Sequence, residues 1–277
     1  MFKLILKTTA VFLCISLSST VWANHSWGPY HWARIFNPFE LMVINSTTPD
    51  WDPYVADAIY AWSSGSGIRI LIEDTGGSTS KRVRRQCKAP GGKIRICNLA
   101  YGFNGWLGIA GISVDINGHI VKGYTKLNDS YFNEAYYNNA EWKQSVACQE
   151  LGHDIGLDHQ DEDFNNLSLS SCMDYQDPPF ESPNLHDFEQ LLTVYGHIDS
   201  YDTVAGATPD EGSGSCNAPP GKGCNKSGVP DNNREIGWGV SLGRRGHSET
   251  FMRIDPDGTR HITHVLWVED AASTTSR

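Results

Sequence analysis

The sequence predicts an α+β fold, and three observations carry the prediction. Short apolar runs separated by turn residues fill positions 41–127, helical periodicity takes over between 140 and 195, and three more strand-like runs follow residue 233. Strands and helices therefore come in blocks, which is the order of an α+β chain.

The chain opens with what reads as an export signal. Lys3 and Lys7 precede an apolar stretch at 8–21, and Val21-Trp22-Ala23 places Val at −3 and Ala at −1 of a cleavage site. The stretch is too short for a comfortable membrane span. The mature chain is expected to begin near Asn24 and to work outside the cell or in a periplasm, with no membrane partner after cleavage. It divides into a main domain at 24–199, a Gly/Pro/Ser/Asn-rich linker or disulfide-tied loop at 200–232, and a small β appendage at 233–277 whose strands could also add to the main sheet.

Within the main domain, strands are expected at 41–44, 68–72 and 94–99. Asp52 as cap and Pro53 in the first turn open a helix running to about Trp62, with Val55, Ile59 and Trp62 on one face. Residues 106–116 and 119–127 read as a hairpin about Asn117-Gly118. The stretch from Ala140 to His153 has helical periodicity, and 184–195 is a second helix with Leu185, Phe188, Leu191, Leu192 and Tyr195 on its apolar face. The closing strands are 238–242, 249–254 and 261–267, the last two joined by Asp255-Pro256-Asp257-Gly258.

Six cysteines remain after the signal, and an even number in an exported chain favours disulfides. Neighbour pairing is the simplest arrangement: Cys87 with Cys97, which could tie a hairpin of the 94–99 strand, Cys148 with Cys172, and Cys216 with Cys224. A net charge of −10 offers no basic stripe for phosphates and argues against nucleic acid. The one basic run, Lys81-Arg82-Val83-Arg84-Arg85, reads as a solvated loop or a nick site. The acidic run Asp158, Asp161, Glu162 and Asp163 offers oxygens for a structural calcium ion, but it lacks EF-hand spacing and reads as a solvated loop.

The chemistry concentrates in Cys148-Gln149-Glu150-Leu151-Gly152-His153-Asp154-Ile155-Gly156-Leu157-Asp158-His159. On a helix, Gln149 and His153 are i and i+4 and face one point. Glu150 lies one residue around, placed to touch a water at that point. Gly156 can end the helix and turn the chain, returning His159 as a further ligand.

This stretch resembles the long zinc signature of the metzincin proteases, H-E-x-x-H-x-x-G-x-x-H, with Gln149 in place of the first histidine. Ser171-Cys172-Met173-Asp174-Tyr175 is similar to that family's Met-turn, and His186 to Gly196 to the C-terminal helix of its matrixin-type members. The resemblance covers about residues 40–199 and is strongest over 140–196. It implies a twisted mixed sheet with an active-site helix, zinc held by Gln149, His153 and His159, and Met173 as an apolar floor. Glu150 is implied as general base, Tyr175 as an oxyanion donor, and a protein or peptide as substrate.

The glutamine is the main departure: it offers a neutral oxygen where zinc prefers nitrogen or sulfur, so weaker metal affinity is expected. His25 and His31 are candidates to fill the gap. The same departure opens a rival reading, a pseudoprotease that has lost the metal with the first histidine, keeps the cleft and only binds peptide or protein. A third reading is a secreted carbohydrate- or surface-binding protein working through its C-terminal β segment.

Overall fold

The computed structural model describes residues 24–65, 67, 69–204 and 237–268. The expected export signal, most of the expected linker and the pairing of Cys216 with Cys224 lie outside the described residues.

The described elements are, in order, β1 (His31–Trp32), β2 (Phe39–Ser46), α1 (Asp52–Ser63), β3 (Ile70–Asp74), α2 (Lys81–Gln86), β4 (Lys93–Leu99), β5 (Trp106–Val114) and β6 (His119–Asn128). The single turn α3 (Asp129–Phe132) leads to α4 (Ala140–Asp154), α5 (Leu185–Val194), β7 (Val240–Arg245), β8 (Ser248–Ile254) and β9 (Arg260–Trp267). This is a mixed α+β fold. All the strands share one sheet, in the order β3-β2-β4-β6-β5-β9-β8-β7, with β1 added to β6. The pairs β2–β3, β2–β4, β4–β6 and β1–β6 are parallel, and everything from β6 through β5 to β7 is antiparallel.

The C-terminal segment extends the main sheet. β9 lies along the whole outer side of β5, from Trp106 opposite Trp267 to Val114 opposite Arg260. Every residue of β5 is buried. Leu107, Ala110 and Ile112 belong to the main core with α4, while Trp106 and Ile109 meet Phe251, Val265 and Trp267 in a smaller cluster. That burial on both faces explains the near-continuous apolar run of β5.

Several expectations are corrected. The basic run is helical, forming α2, because Ser80 caps it and Cys87 closes it with φ 48°. The Cys87–Cys97 disulfide ties the end of α2 to β4, whose neighbours are both parallel, so no hairpin is involved. The carboxylate of Asp52 accepts from Asn45 and Thr47 and leaves α1 without a side-chain cap. Leu185 points to solvent at 68 % exposure, whereas Leu191 and Tyr195 of the same run are buried.

α1 and α4 pack together on the sheet, and Trp62 Nε1 donates to Cys148 O at 2.9 Å. β1 is held to the end of α4 by Trp32 Nε1 donating to Asp154 O at 3.0 Å. Arg34, fully buried, closes the C-terminal end of α5: its guanidinium donates to the carbonyls of Tyr195 and His197 and pairs with Asp199 at 3.4 Å. A cation there also complements the negative end of the helix. Arg34→Ala removes the guanidinium from Asp199 and from two carbonyls, and it should lower the unfolding free energy by about 3–5 kcal/mol. Urea unfolding followed by circular dichroism measures this; a midpoint equal to wild type would refute the assignment.

Candidate metal centre

α4 starts cleanly because Asn139 accepts from Trp142 N at 2.8 Å. From Gln144 to Asp154 every residue is buried. Gly152 allows this close packing: a Cβ there would sit 2.6 Å from Met173 Sδ and 2.7 Å from Trp62. Met173 therefore lies directly against the helix, one residue before His153. The Cys148–Cys172 disulfide joins the same two segments.

The helix ends as its glycine suggested. Gly156 N donates to His153 O at 3.0 Å and Leu157 N to Gly152 O at 3.1 Å, the paired bonds of a Schellman turn. Gly156 has φ +99°, and a Cβ would lie 2.5 Å from Tyr30 O. Conformation and space together call for glycine. The turn carries the chain back, so that His159 Nε2 lies 3.0 Å from His153 Nε2.

What faces inward is decided by what holds the far side of each ring. His153 Nδ1 sits 2.9 Å from Leu157 O, a carbonyl that can only accept, so Nδ1 carries the hydrogen and Nε2 a lone pair. His159 Nδ1 sits 3.1 Å from Glu162 Oε1, which fixes the same tautomer. Burial opposes the charge on Glu162, but its bond to His159 holds the carboxyl below its usual range. Burial, and then His159, push His153 well below the ordinary imidazole value. Two lone pairs thus converge on one point.

His264 of β9, absent from the sequence-derived site, supplies the third nitrogen. Its ligand atom and those of His153 and His159 lie within 4.8 Å of one another. Its ring is 4.1 Å from that of His153 and 4.7 Å from that of His159. Ser248 Oγ lies 3.0 Å from Nε2, and Nδ1 has no hydrogen-bond partner. The signal was legible in period-2 form: Ile262 and Leu266 belong to the main core, and His264 shares their face.

The remaining expected residues gather around the three histidines. Gln149 is buried on α4, one turn before His153. Glu150 is fully buried, with neither carboxylate oxygen hydrogen-bonded and Oε2 3.9 Å from His264 Nδ1. Burial, then Asp154, push its carboxyl well above the usual range. Tyr175 stacks against Phe164 and lies 4.4 Å from the His159 ring; burial, then Glu150, push its phenol well above the ordinary value. Trp27 stacks on His153 at 5.0 Å.

Neither candidate gap-filler joins this group. His25 bonds Asp158 O and faces Asp187, and His31 sits in a separate cluster. Of the acidic run, Glu162 has the specific task of orienting His159.

The donor set fits zinc. Tetrahedral nitrogen ligands at about 2.0–2.1 Å stand roughly 3.3 Å apart, close to the 3.0 Å between the two Nε2 atoms. The group is closed on the sheet side: His153, Glu150 and His264 are each 0 % exposed. His159 lines an open hollow with Asp158, Glu162 and Arg245. The sequence matches no family model and no curated protein.

Space for Glu150 depends on Gly108 of β5, where a Cβ would lie 2.2 Å from Oε1. Gly108→Ala should therefore destabilise the fold by about 1–3 kcal/mol through overpacking. An unchanged thermal midpoint would show that Glu150 does not occupy that space.

Proposed function

We propose that this chain is an exported zinc-dependent metalloendopeptidase. The observation that supports this most is the convergence of the His153 and His159 lone pairs beside Glu150. When bound, zinc supplies Lewis-acid chemistry, lowering the pKa of a water and polarising a peptide carbonyl. Glu150 takes the proton of the attacking water and passes it to the leaving amine. Tyr175 donates a hydrogen bond to the developing oxyanion. Met173 keeps the floor of the site apolar and braced against α4.

β9 occupies the edge of β5 on which a peptide strand would otherwise add. The described arrangement is therefore a closed form, and turnover requires β9 to leave with His264. Gln149, one helical turn from His153, is then the donor left to complete the set.

A second reading, a metal-holding pseudoprotease, is favoured by one specific observation: Glu150 and His264 are wholly buried under a fully paired strand. In that reading His264 is a permanent ligand and no peptide reaches Glu150.

Metal analysis and peptide-library hydrolysis of the purified mature chain distinguish the two. His153→Ala should lose one equivalent of zinc relative to wild type. Glu150→Gln should retain the metal and lose turnover by at least about 10³-fold. Metal without any wild-type turnover would establish the pseudoprotease, and identical metal content in His153→Ala would reject both readings.

Orientation of His159 by Glu162 gives a further expectation. Glu162→Ala should weaken zinc affinity by about 10–100-fold, read by competition with a chromogenic chelator.

A further inference from the structure

A second group of histidines gathers where β1 meets the segment following α5. We infer that His31, His119, His197 and Asp199 form a zinc site that fastens three separate parts of the chain. His31 belongs to β1, His119 is the first residue of β6, and His197 and Asp199 follow α5. One carboxylate oxygen, Asp199 Oδ1, is their common neighbour. Nε2 of His31 lies 3.4 Å from it, that of His119 3.5 Å and that of His197 3.1 Å. His197 Nε2 is also 3.1 Å from His31 Nε2. The His31 ring stands edge-on to both others, at 82° to His119 and 80° to His197.

The far sides of the rings again decide what points inward. His31 Nδ1 lies 2.8 Å from Pro29 O, which only accepts, so the hydrogen is on Nδ1. Tyr201 gives its hydroxyl proton to Asp115, so its oxygen is left to accept from His119 Nδ1. Both Nε2 atoms are therefore lone pairs aimed at a carboxylate oxygen. Such an arrangement repels unless a metal ion or a proton stands between its members. The other oxygen of Asp199 is already committed, accepting from Arg34 N at 3.0 Å and Arg34 Nη1 at 3.4 Å. Oδ1 is thus the single donor offered inward.

The separations match the ion. Ligands at about 2.0–2.1 Å in a tetrahedron stand roughly 3.3–3.4 Å from one another; the distances from Asp199 Oδ1 to the three Nε2 atoms and from His31 to His197 span 3.1–3.5 Å, and the ligand atoms of His31, His119 and Asp199 all lie within 4.8 Å of one another. Three imidazole nitrogens and one carboxylate oxygen form a closed set with no place for substrate, as in structural zinc sites. His197, 54 % exposed along its side chain, leaves one side open to an arriving ion. The site shares no residue with the His153 centre. It acts on the fold by tying β1, and with it the Trp32 bond to the end of α4, to the β5–β6 hairpin and to the end of α5.

The test is zinc titration of the chelator-stripped mature chain at a pH where histidines are neutral, with zinc-induced thermal shifts measured in parallel. Wild type, His197→Ala, His119→Ala and His153→Ala are compared after circular dichroism confirms folding. His197→Ala is the safer variant because its side chain is largely exposed. Wild type should take up two equivalents. His197→Ala and His119→Ala should each weaken one equivalent by at least tenfold and reduce the zinc-induced rise in melting temperature, leaving the equivalent lost in His153→Ala. A single wild-type equivalent that persists in both variants and disappears in His153→Ala overturns this inference and leaves the proposed function standing. A single equivalent lost only in His197→Ala and His119→Ala does the reverse. Protons in place of metal would give no zinc-dependent stabilisation attributable to either variant, and that also overturns it.

Discussion

The antiparallel pairing of β9 with β5 is the contact on which the rest of the arrangement depends. It converts β5 from a sheet edge into an interior strand, which accounts for burial of all nine of its residues. It delivers His264 opposite Ala110, onto the face that α4 covers. It also removes the backbone edge that an extended peptide would need. One ladder of hydrogen bonds therefore governs sheet size and, in the proposed reading, the metal-donor count and access.

Beneath that ladder the electrostatics are unusual for a core. A buried carboxyl normally finds a donor, yet both oxygens of Glu150 lack one, as does Nδ1 of His264. His153 and His159 turn lone pairs toward each other, although each ring is firmly held on its other side. Unsatisfied polar groups that converge on one point are what the proposed zinc ion would satisfy. The surrounding supports are rigid: a Schellman turn at Gly156, a disulfide from Cys148, and Met173 pressed against Gly152.

Much of this was legible in the residues. Helical spacing placed Gln149, Glu150 and His153 together, and the Gly156 turn followed from conformational freedom. Asn117-Gly118 located the hairpin, with Gly118 at φ +94°. His264 was missed because it sits in a strand far along the chain, where local periodicity says which side a residue faces but not which strand lies beside it. The same limit hid the His31 group, whose members come from three distant elements. The run from Lys81 misled because its charges suggested solvent, whereas Ser80 and Cys87 supplied the ends of a short helix. Local chemistry was readable; pairings across long loops were not.

Pairing at such separation has a consequence for how the molecule assembles. Contacts between distant segments form late, because a long loop must close before they gain anything. β2 to β6 and the helices between them can come together while β9 is still unplaced. During that interval β5 presents nine mostly apolar residues with an unpaired backbone edge, the kind of surface that recruits other chains. The rate at which the last strand docks therefore sets how long each newly made molecule remains exposed to self-association.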